Sequence, residues 1–209
     1  MLELMPLDTL WWFVVASIAL GFAPGPDNIF VLTQSSQHGA RAGLLVTLGL
    51  CTGLVFHTGL VVFGVAVIFQ TSLVVFTAVK IIGAGYLLYL AWQAFRAARA
   101  ELGSIQVSAG RLYQRGVIMN LTNPKVAIFF LAFLPQFVDP DLGQGSRQIV
   151  ILGMIFIGVT LLVFGSIAMA AGRLSSWFTR SPQSQQWLNR IAGSVFVALA
   201  LRLLIIEQQ

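Results

Sequence analysis

Two short segments combine a proline with a charged residue inside otherwise apolar sequence. Asp27 follows Pro26 in the segment A-P-G-P-D-N, and Lys125 follows Pro124 in the segment L-T-N-P-K. Proline breaks a helix because it has no amide hydrogen to donate and its ring clashes with the preceding turn. A carboxylate and an ammonium group beside unwound backbone can bind a polar solute, so we expect these two segments to carry the chemistry of the chain.

The first segment places a helix break directly before a carboxylate. Pro24 and Pro26 each remove a backbone donor and disfavour helix at the preceding residue, and Gly25 has no side chain to crowd the turn. A new helix is expected to begin at Pro26, since proline suits the first helical position. Its N-terminus attracts an anion such as a substrate carboxylate, whereas Asp27 and the freed carbonyls attract an ammonium group or a proton. These features together suit a zwitterion.

The second segment repeats this arrangement with amide side chains before its proline. Asn120 and Asn123 can satisfy unwound backbone and still offer hydrogen bonds to a polar substrate. Lys125 has three roles open to it: it can pair with Asp27, bind a substrate carboxylate, or lose its proton in apolar surroundings. The structural alternative is that both prolines only kink helices and that Asp27 and Lys125 neutralise one another as a packing device.

His57 is a further ionisable residue inside an apolar run. Histidine titrates near neutral pH and can relay protons, and the alternative is a histidine that is only hydrogen-bonded between helices. Gly49 and Gly53, in the same run, have the small-residue spacing that lets two helices approach closely. We expect this pair to pack within the protomer rather than to form a dimer seam.

Composition predicts an integral membrane protein. Of the 209 residues, 57% are hydrophobic and 9% are charged, with a mean hydropathy of +0.87, whereas soluble domains carry about 25% charged residues. A spanning helix needs roughly 20 apolar residues. We therefore expect an all-α polytopic fold of six transmembrane helices, the first and fourth broken at their prolines. The expected spans are residues 10–36, 42–69, 76–97, 114–137, 148–172 and 188–206.

Basic residues are distributed unevenly between the two ends of these spans. Lys80 and Arg147 fall on one side, and the other side receives Arg41, Arg96, Arg99, Arg111, Arg115, Arg173, Arg180 and Arg190. Because cytoplasmic loops are enriched in lysine and arginine, both termini are expected outside, on the periplasmic face of a Gram-negative inner membrane. This topology explains the net charge of +5 without nucleic acid. The expected partners are membrane lipid and a small solute, with a homo-oligomer left open.

The two halves of the chain carry corresponding signals. Pro26 and Pro124 lie 98 positions apart, and the third and sixth spans begin with the similar segments K-I-I-G-A-G-Y and R-I-A-G-S-V-F. Three spans in each half would turn the second half upside down, giving an inverted repeat with a binding site at the repeat interface. Chance similarity between apolar helices is the alternative. We expect one transporter domain over 1–209, with repeats at about 1–97 and 114–209 and a cytoplasmic loop at about 98–113.

Several segments resemble a known family. They are S-I-A-L-G-F-A-P-G-P-D-N at 17–28, H-G-A-R-A-G at 38–43, G-A-G-Y-L-L-Y-L-A-W-Q-A-F-R at 83–96, R-G-V-I-M-N-L-T-N-P-K at 115–125 and L-P-Q-F at 134–137. Over nearly its whole length the chain resembles the lysine exporter superfamily of bacterial amino acid exporters, in particular the homoserine and threonine efflux branch.

The resemblance implies a six-helix exporter that removes amino acids or close derivatives from the cytoplasm, driven by the proton motive force. Neutral substrates similar to threonine or homoserine are expected, although the motifs do not rank amino acids. Proton antiport by alternating access is the expected mechanism, with no cofactor and no metal. The residues that match the family's two motifs are Pro24, Gly25, Pro26, Asp27 and Asn28 in the first and Asn120, Asn123, Pro124 and Lys125 in the second.

Two other classes of function stay open at the level of sequence. A passive channel or a subunit of a larger membrane complex shares the apolar composition, but an inverted repeat favours a carrier. An intramembrane enzyme using Asp27 and His57 as acid and base has less support, because the chain has no H-E-x-x-H motif, no G-x-S-x-G motif and no paired membrane aspartates. We therefore expect a transporter and not an enzyme.

Overall fold

The computed structural model shows an all-α chain, as the composition predicts. It describes residues 5–23, 25–71, 73–96, 109–139, 142–180 and 182–205. The α-helices within these ranges are α1 (Leu7–Phe22), α2 (Pro26–His38), α3 (Ala40–Thr71), α4 (Leu73–Arg96), α5 (Ala109–Leu121), α6 (Pro124–Ile128), α7 (Gly145–Arg180) and α8 (Pro182–Ile205). A π-helical turn, Phe129–Phe133, and a 3-10 turn, Leu134–Phe137, follow α6.

The helices are those of a multi-pass membrane protein. Among the described residues, two segments are long and apolar enough to cross a membrane alone, Ala40–Gly64 in α3 and Gly145–Ala171 in α7. The number rises to four if α1 with α2, and α5 with the helical turns after its break, each count as one span. Helices α4 and α8 cover the third and sixth predicted spans, and the six-span inverted repeat stays a prediction.

Several helices extend beyond the apolar runs that predicted them. Helix α5 begins at Ala109, within the segment predicted as a cytoplasmic loop at about 98–113, while residues 97–108 lie outside the described residues and the cytoplasmic location stays a prediction. Helix α7 continues to Arg180 and α8 begins at Pro182. Hydropathy detects the apolar part of a helix, whereas arginine and glutamine are good helix formers that extend it into the polar region.

Helices α1 and α2, like α5 and α6, are separated by a break at the predicted position. The bend is 61° between α1 and α2, and 50° between α5 and the segment Pro124–Phe137, which consists of α6 and the two turns after it. Helix α1 ends at Phe22, and α2 begins at Pro26 after an extended Gly25. Helix α6 begins at Pro124. Helix starts therefore lie at Pro26 and Pro124, next to the extended Gly25 in the first case, and Pro24 lies outside the described residues.

Helix α3 packs against helices from both broken pairs. It packs on α2, α5 and α7, while α4 packs on α8 and α1 on both α7 and α8. A Cβ atom added to Gly49 would lie 3.0 Å from Gly116 Cα, and one added to Gly53 would lie 2.7 Å from Asn120 Cβ. The predicted close approach through these glycines is confirmed, and it takes place within the protomer, between α3 and α5.

Two apolar clusters fill the interior. The first is rich in phenylalanine, with ring centroids of Phe13, Phe129 and Phe156 between 5.2 and 6.4 Å apart. The second cluster is mostly aliphatic and joins α2, α3, α5 and α7 around residues such as Val46 and Leu112. The side chains of the two breaks meet at a cavity whose walls come from both clusters.

Candidate functional site

Asn123 joins the two breaks. Its Nδ2 donates to Asp27 Oδ2 over 2.6 Å, and its Oδ1 accepts from the backbone N of Lys125 over 3.0 Å. The second contact is the N-cap of α6. The Asn123 amide has only one orientation that serves both neighbours, because a backbone N–H only donates and therefore requires the side-chain oxygen. The residue that caps the helix after the second break thus also positions the carboxylate after the first.

Lys125 crosses from the second break to the first. Its Nζ donates to Leu20 O over 3.2 Å and to Ala23 O over 3.1 Å. The Leu20 carbonyl would normally accept from the residue four positions later, but that residue is Pro24, which has no N–H. The buried Lys125 ammonium group supplies the missing donor.

His57 contacts the carbonyl oxygen at the second break that lacks its usual donor, as Lys125 does at the first break. Its Nε2 lies 3.2 Å from Asn120 O, the carbonyl that Pro124 cannot satisfy. The backbone N of Asn123 also donates to this oxygen, over 3.1 Å. A carbonyl oxygen only accepts, so the hydrogen in the His57 contact is on Nε2. The contact agrees with the predicted histidine that is hydrogen-bonded between helices, and a proton relay stays a prediction.

Asp27 and Lys125 are both buried, with 3% and 7% of their surface exposed, and both line the same cavity. They do not bond to one another directly. The two Nζ contacts go to Leu20 O and Ala23 O, and Asp27 Oδ1 has no hydrogen-bond partner within the part of the chain that the structure describes. The cavity therefore holds one acidic and one basic residue, and the Asp27 carboxylate still has a free acceptor oxygen.

The unsatisfied polar atoms around the breaks are acceptors. Asp27 Oδ1, Asn28 Oδ1 and Asn120 Oδ1 are buried and have no hydrogen-bond partner among the described residues. Buried polar atoms in native proteins are nearly always hydrogen-bonded, so such atoms indicate a place for a ligand, an ion or water. An excess of acceptors suits a ligand with several donors, such as an ammonium group.

The cavity is narrow: its enclosed volume is about 20 Å³, room for about one water molecule, within about 320 Å³ of surrounding space that includes open solvent. Its two charged lining residues are Asp27 and Lys125, and its two uncharged polar side chains are those of Asn120 and Thr160. The rest of the lining consists of Leu20, Gly21, Leu50, Leu54, Val126, Phe156 and Phe164. The cavity therefore has paired charges and an otherwise largely apolar wall, as in many small-molecule sites.

The structure places the sequence-predicted residues in three ways. Asp27, Asn120 and Lys125 line the cavity, while Asn123 and His57 are not part of its lining and make hydrogen bonds to the breaks. Asn28 does not line the cavity, because its Nδ2 turns back to donate to Gly21 O over 2.6 Å. These positions do not establish that any of the residues binds substrate or a proton, so their roles in binding stay predictions.

Sequence reasoning missed the contribution of α7 to the cavity. Phe156, Thr160 and Phe164 lie at intervals of four residues and therefore on one face of that helix. Thr160 is the polar side chain in an apolar run from Val150 to Phe164. That isolated hydroxyl is the signal that could have identified this wall of the site.

Comparison with known proteins places the chain among membrane translocators. The family described as LysE type translocator matches residues 16–207. A homoserine/homoserine lactone efflux protein of Salmonella typhimurium is 38% identical over 193 residues, covering 90% of this chain and 92% of the relative. Uncharacterized membrane proteins of Vibrio cholerae and Pseudomonas aeruginosa are 32% and 29% identical, covering 91% and 94% of this chain and 94% and 95% of their own lengths. No solved structure matches the chain.

Proposed function

The chain belongs to the LysE type translocator family, as its motifs predict, and from that premise we propose that it exports amino acids or close derivatives by secondary active transport. The observation that carries the proposal is that two buried ionisable residues, Asp27 from the first break and Lys125 from the second, line one cavity. Asp27 Oδ1 in that cavity has no hydrogen-bond partner among the described residues. Ionisable groups inside a membrane protein are expensive to bury and usually mark a substrate or ion pathway. The proposed location is a bacterial inner membrane with both termini on the periplasmic side.

The two ends of an α-amino acid match the two ends of the charge pair. The substrate ammonium group would donate to Asp27 Oδ1 and Asn120 Oδ1, which are both without a partner among the described residues. The substrate carboxylate would bind Lys125 Nζ. A Cβ atom added to Gly25 would lie 3.2 Å from that Nζ, so the ammonium group stands beside the start of α2, which has no side-chain cap. Helix N-termini attract anions, and this one would support the same carboxylate.

The apolar wall favours neutral substrates. A basic or acidic side chain would need a second charged partner in the cavity, and Asp27 and Lys125 are the charged residues among its lining. An unpaired charge in such surroundings is costly. The named efflux relatives act on homoserine and its lactone according to their descriptions, and we propose a neutral substrate of that size for this chain. A lactone has no free carboxylate, and its carbonyl would accept from Lys125 Nζ instead.

Exchange at Asp27 would couple export to the proton gradient. One carboxylate oxygen can hold a proton or accept from the substrate ammonium group, and the two occupancies compete. Protonation from outside would release the substrate outward, and deprotonation toward the cytoplasm would prepare the site for the next molecule. One proton then enters for each substrate that leaves.

Alternating access requires two halves that move against one another. Part of the contact pattern is what a twofold axis between halves generates, because α3 packs on α7 and α4 packs on α8, although the α1–α8 contact has no comparable counterpart between α4 and α5 within the described residues. In addition, α3 of the first half contacts α5, which begins the second half. In the same way, α7 of the second half contacts α1, which begins the first half. This reciprocity supports the proposed inverted repeat and a rocking motion around the breaks.

The test is transport by purified protein in proteoliposomes, with labelled neutral amino acids and an imposed proton gradient. We expect saturable flux, acceleration by substrate on the opposite side, and loss of proton-driven flux in Asp27→Asn. The matched control is Asp8→Asn, because Asp8 is an exposed carboxylate in the first turn of α1. Wild-type flux in Asp27→Asn would eliminate the proposed coupling, and conduction without counterflow would indicate a channel.

A further inference from the structure

Thr160 is a cavity-lining hydroxyl without a partner. It is 5% exposed and lies in the middle of α7, between the two phenylalanines of the same helix face. Within the described part of the chain its Oγ1 takes part in no hydrogen bond. Its Oγ1 is not one of the fully buried unpartnered atoms, so the hydroxyl oxygen remains accessible and lies at the cavity that Thr160 lines.

Other hydroxyls in apolar helices of this protein behave differently. Ser17, Ser35, Thr47 and Thr58 each donate to the carbonyl four residues earlier, over 2.7–2.8 Å. The same back-bond is the usual local solution for a serine or threonine within a helix. Thr160 does not make it, so its hydroxyl stays available to a molecule in the cavity.

Thr33 is a useful comparison, because its buried Oγ1 also lacks a partner among the described residues. Thr33 is not part of the cavity lining, whereas Thr160 shares that lining with Asp27, Asn120 and Lys125. The proposed zwitterion uses those three side chains for its ammonium and carboxylate groups. Of the polar residues in the lining, Thr160 then remains to contact the side chain of the substrate.

We infer that Thr160 hydrogen-bonds a hydroxyl on the substrate side chain and thereby sets a preference for hydroxylated over aliphatic amino acids of the same size. The inference rests on the proposed function and specifies the substrate class of the same cavity. A site that hydrogen-bonds a substrate hydroxyl discriminates against an analogue that lacks it, because the protein group is then left unpaired. The four-residue spacing to Phe156 and Phe164 places the hydroxyl in an otherwise apolar wall, where a methyl group in its place would be tolerated.

The test compares threonine with valine, which has a methyl group in place of the hydroxyl, in proteoliposomes. For each variant the measured quantity is the ratio of kcat/KM for the two substrates, so a general loss of folded protein cancels. We expect Thr160→Val to lower the threonine-to-valine ratio by about three- to tenfold, the range that one neutral hydrogen bond supplies. Thr160→Ser, which keeps the hydroxyl, should keep most of the wild-type ratio.

The matched control is Thr47→Val, because Thr47 is a buried threonine whose hydroxyl is already bonded to Gly43 O and is not part of the cavity lining. This variant should leave the ratio unchanged. An unchanged ratio in Thr160→Val, with Asp27-dependent flux intact, would overturn the role of Thr160 and leave the exporter standing. If the wild-type protein transports no amino acid of a broad panel, the proposed function itself fails.

Discussion

The two breaks have similar sequence signals but different local chemistry. At the first, Gly25 precedes α2 without any side-chain cap, and a carboxylate follows the proline. At the second, Asn123 caps α6 with its own side chain, and an ammonium group follows the proline. The second break satisfies much of its own backbone, whereas the first receives its donors from elsewhere.

The first break therefore depends on side chains of the second break for its hydrogen bonds. Lys125 and Asn123, both from the second break, hold the carbonyls and the carboxylate of the first. The second break takes its outside support from His57 on α3. We therefore expect substitutions at the second break to damage both structure and transport, and substitutions at the first to act mainly on the ligand. The predictions below test that difference, beginning with the largest effect.

Lys125→Met should have the largest effect. The change leaves Asp27 without its countercharge and leaves Leu20 O and Ala23 O without their donor. Breaking a buried charge pair by removing one partner is destabilising by about 3–5 kcal/mol. We expect loss of transport and a clear fall in the thermal unfolding midpoint of the protein in detergent.

The double variant Asp27→Asn with Lys125→Met separates structure from binding. Removing both buried charges should restore part of the lost stability, because no isolated charge remains. Transport should stay absent, since neither end of the substrate finds its partner. A double variant that transports would show that the pair is only a packing device, and one less stable than Lys125→Met would refute the electrostatic explanation.

Gly53→Ala should be the next most damaging change. The added methyl group would lie 2.5 Å from Asn120 Oδ1 and 2.7 Å from Asn120 Cβ, so α3 and α5 must separate or the amide must move. Overpacking of this kind is destabilising by about 1–3 kcal/mol. The matched control is Gly59→Ala on the same helix, where a Cβ would meet nothing within 4 Å. Equal unfolding midpoints for the two variants would contradict the close approach.

Asn123→Ala tests the link between the breaks. The variant loses the N-cap of α6, worth about 1 kcal/mol, together with the donor to Asp27 Oδ2. We expect a modest fall in the unfolding midpoint and a larger fall in substrate affinity.

Asn123→Asp is the informative partner of that variant. An aspartate keeps the acceptor that caps α6 but sets a second carboxylate against Asp27. Stability should exceed that of Asn123→Ala under mildly acidic conditions, where one carboxylate is protonated, and the advantage should shrink as the pH rises. The same stability difference at every pH would argue against direct contact between positions 27 and 123.

His57→Gln should have the smallest effect. Asn120 O keeps its contact with the backbone N of Asn123 when the histidine is replaced, and one neutral hydrogen bond contributes about 0.5–1.5 kcal/mol. Glutamine can also supply a donor. We expect proton-coupled flux close to that of the wild type, and loss of coupling without loss of stability would assign His57 the relay role instead.

Much of this architecture could be predicted from the sequence. The prolines identified both breaks because a missing N–H has a direct effect on the helix, and a charge within an apolar run identified Asp27 and Lys125. The partners of the freed carbonyls could not be predicted. Leu20 O and Asn120 O are satisfied by side chains 105 and 63 positions away, and such contacts depend on tertiary packing.

Other features lay beyond the sequence for related reasons. The π-helical turn at Phe129–Phe133 was not expected, although Pro135 removes a donor from the turn that follows. Asn28 shares the first motif but bonds to Gly21 O rather than lining the cavity. The direction of a side chain at the edge of a break depends on backbone angles that residue types do not specify.

The central claim is that one ligand is held at both ends by one charge from each break. The most direct test measures binding of an amino acid, its analogue without the amine and its ester to the wild type, Asp27→Asn and Lys125→Met. We predict that Asp27→Asn weakens binding of the amino acid and the ester by about 10- to 100-fold but spares the deaminated analogue. Lys125→Met should weaken the amino acid and the deaminated analogue but affect the ester less. Equal losses for all three ligands in both variants would contradict the claim.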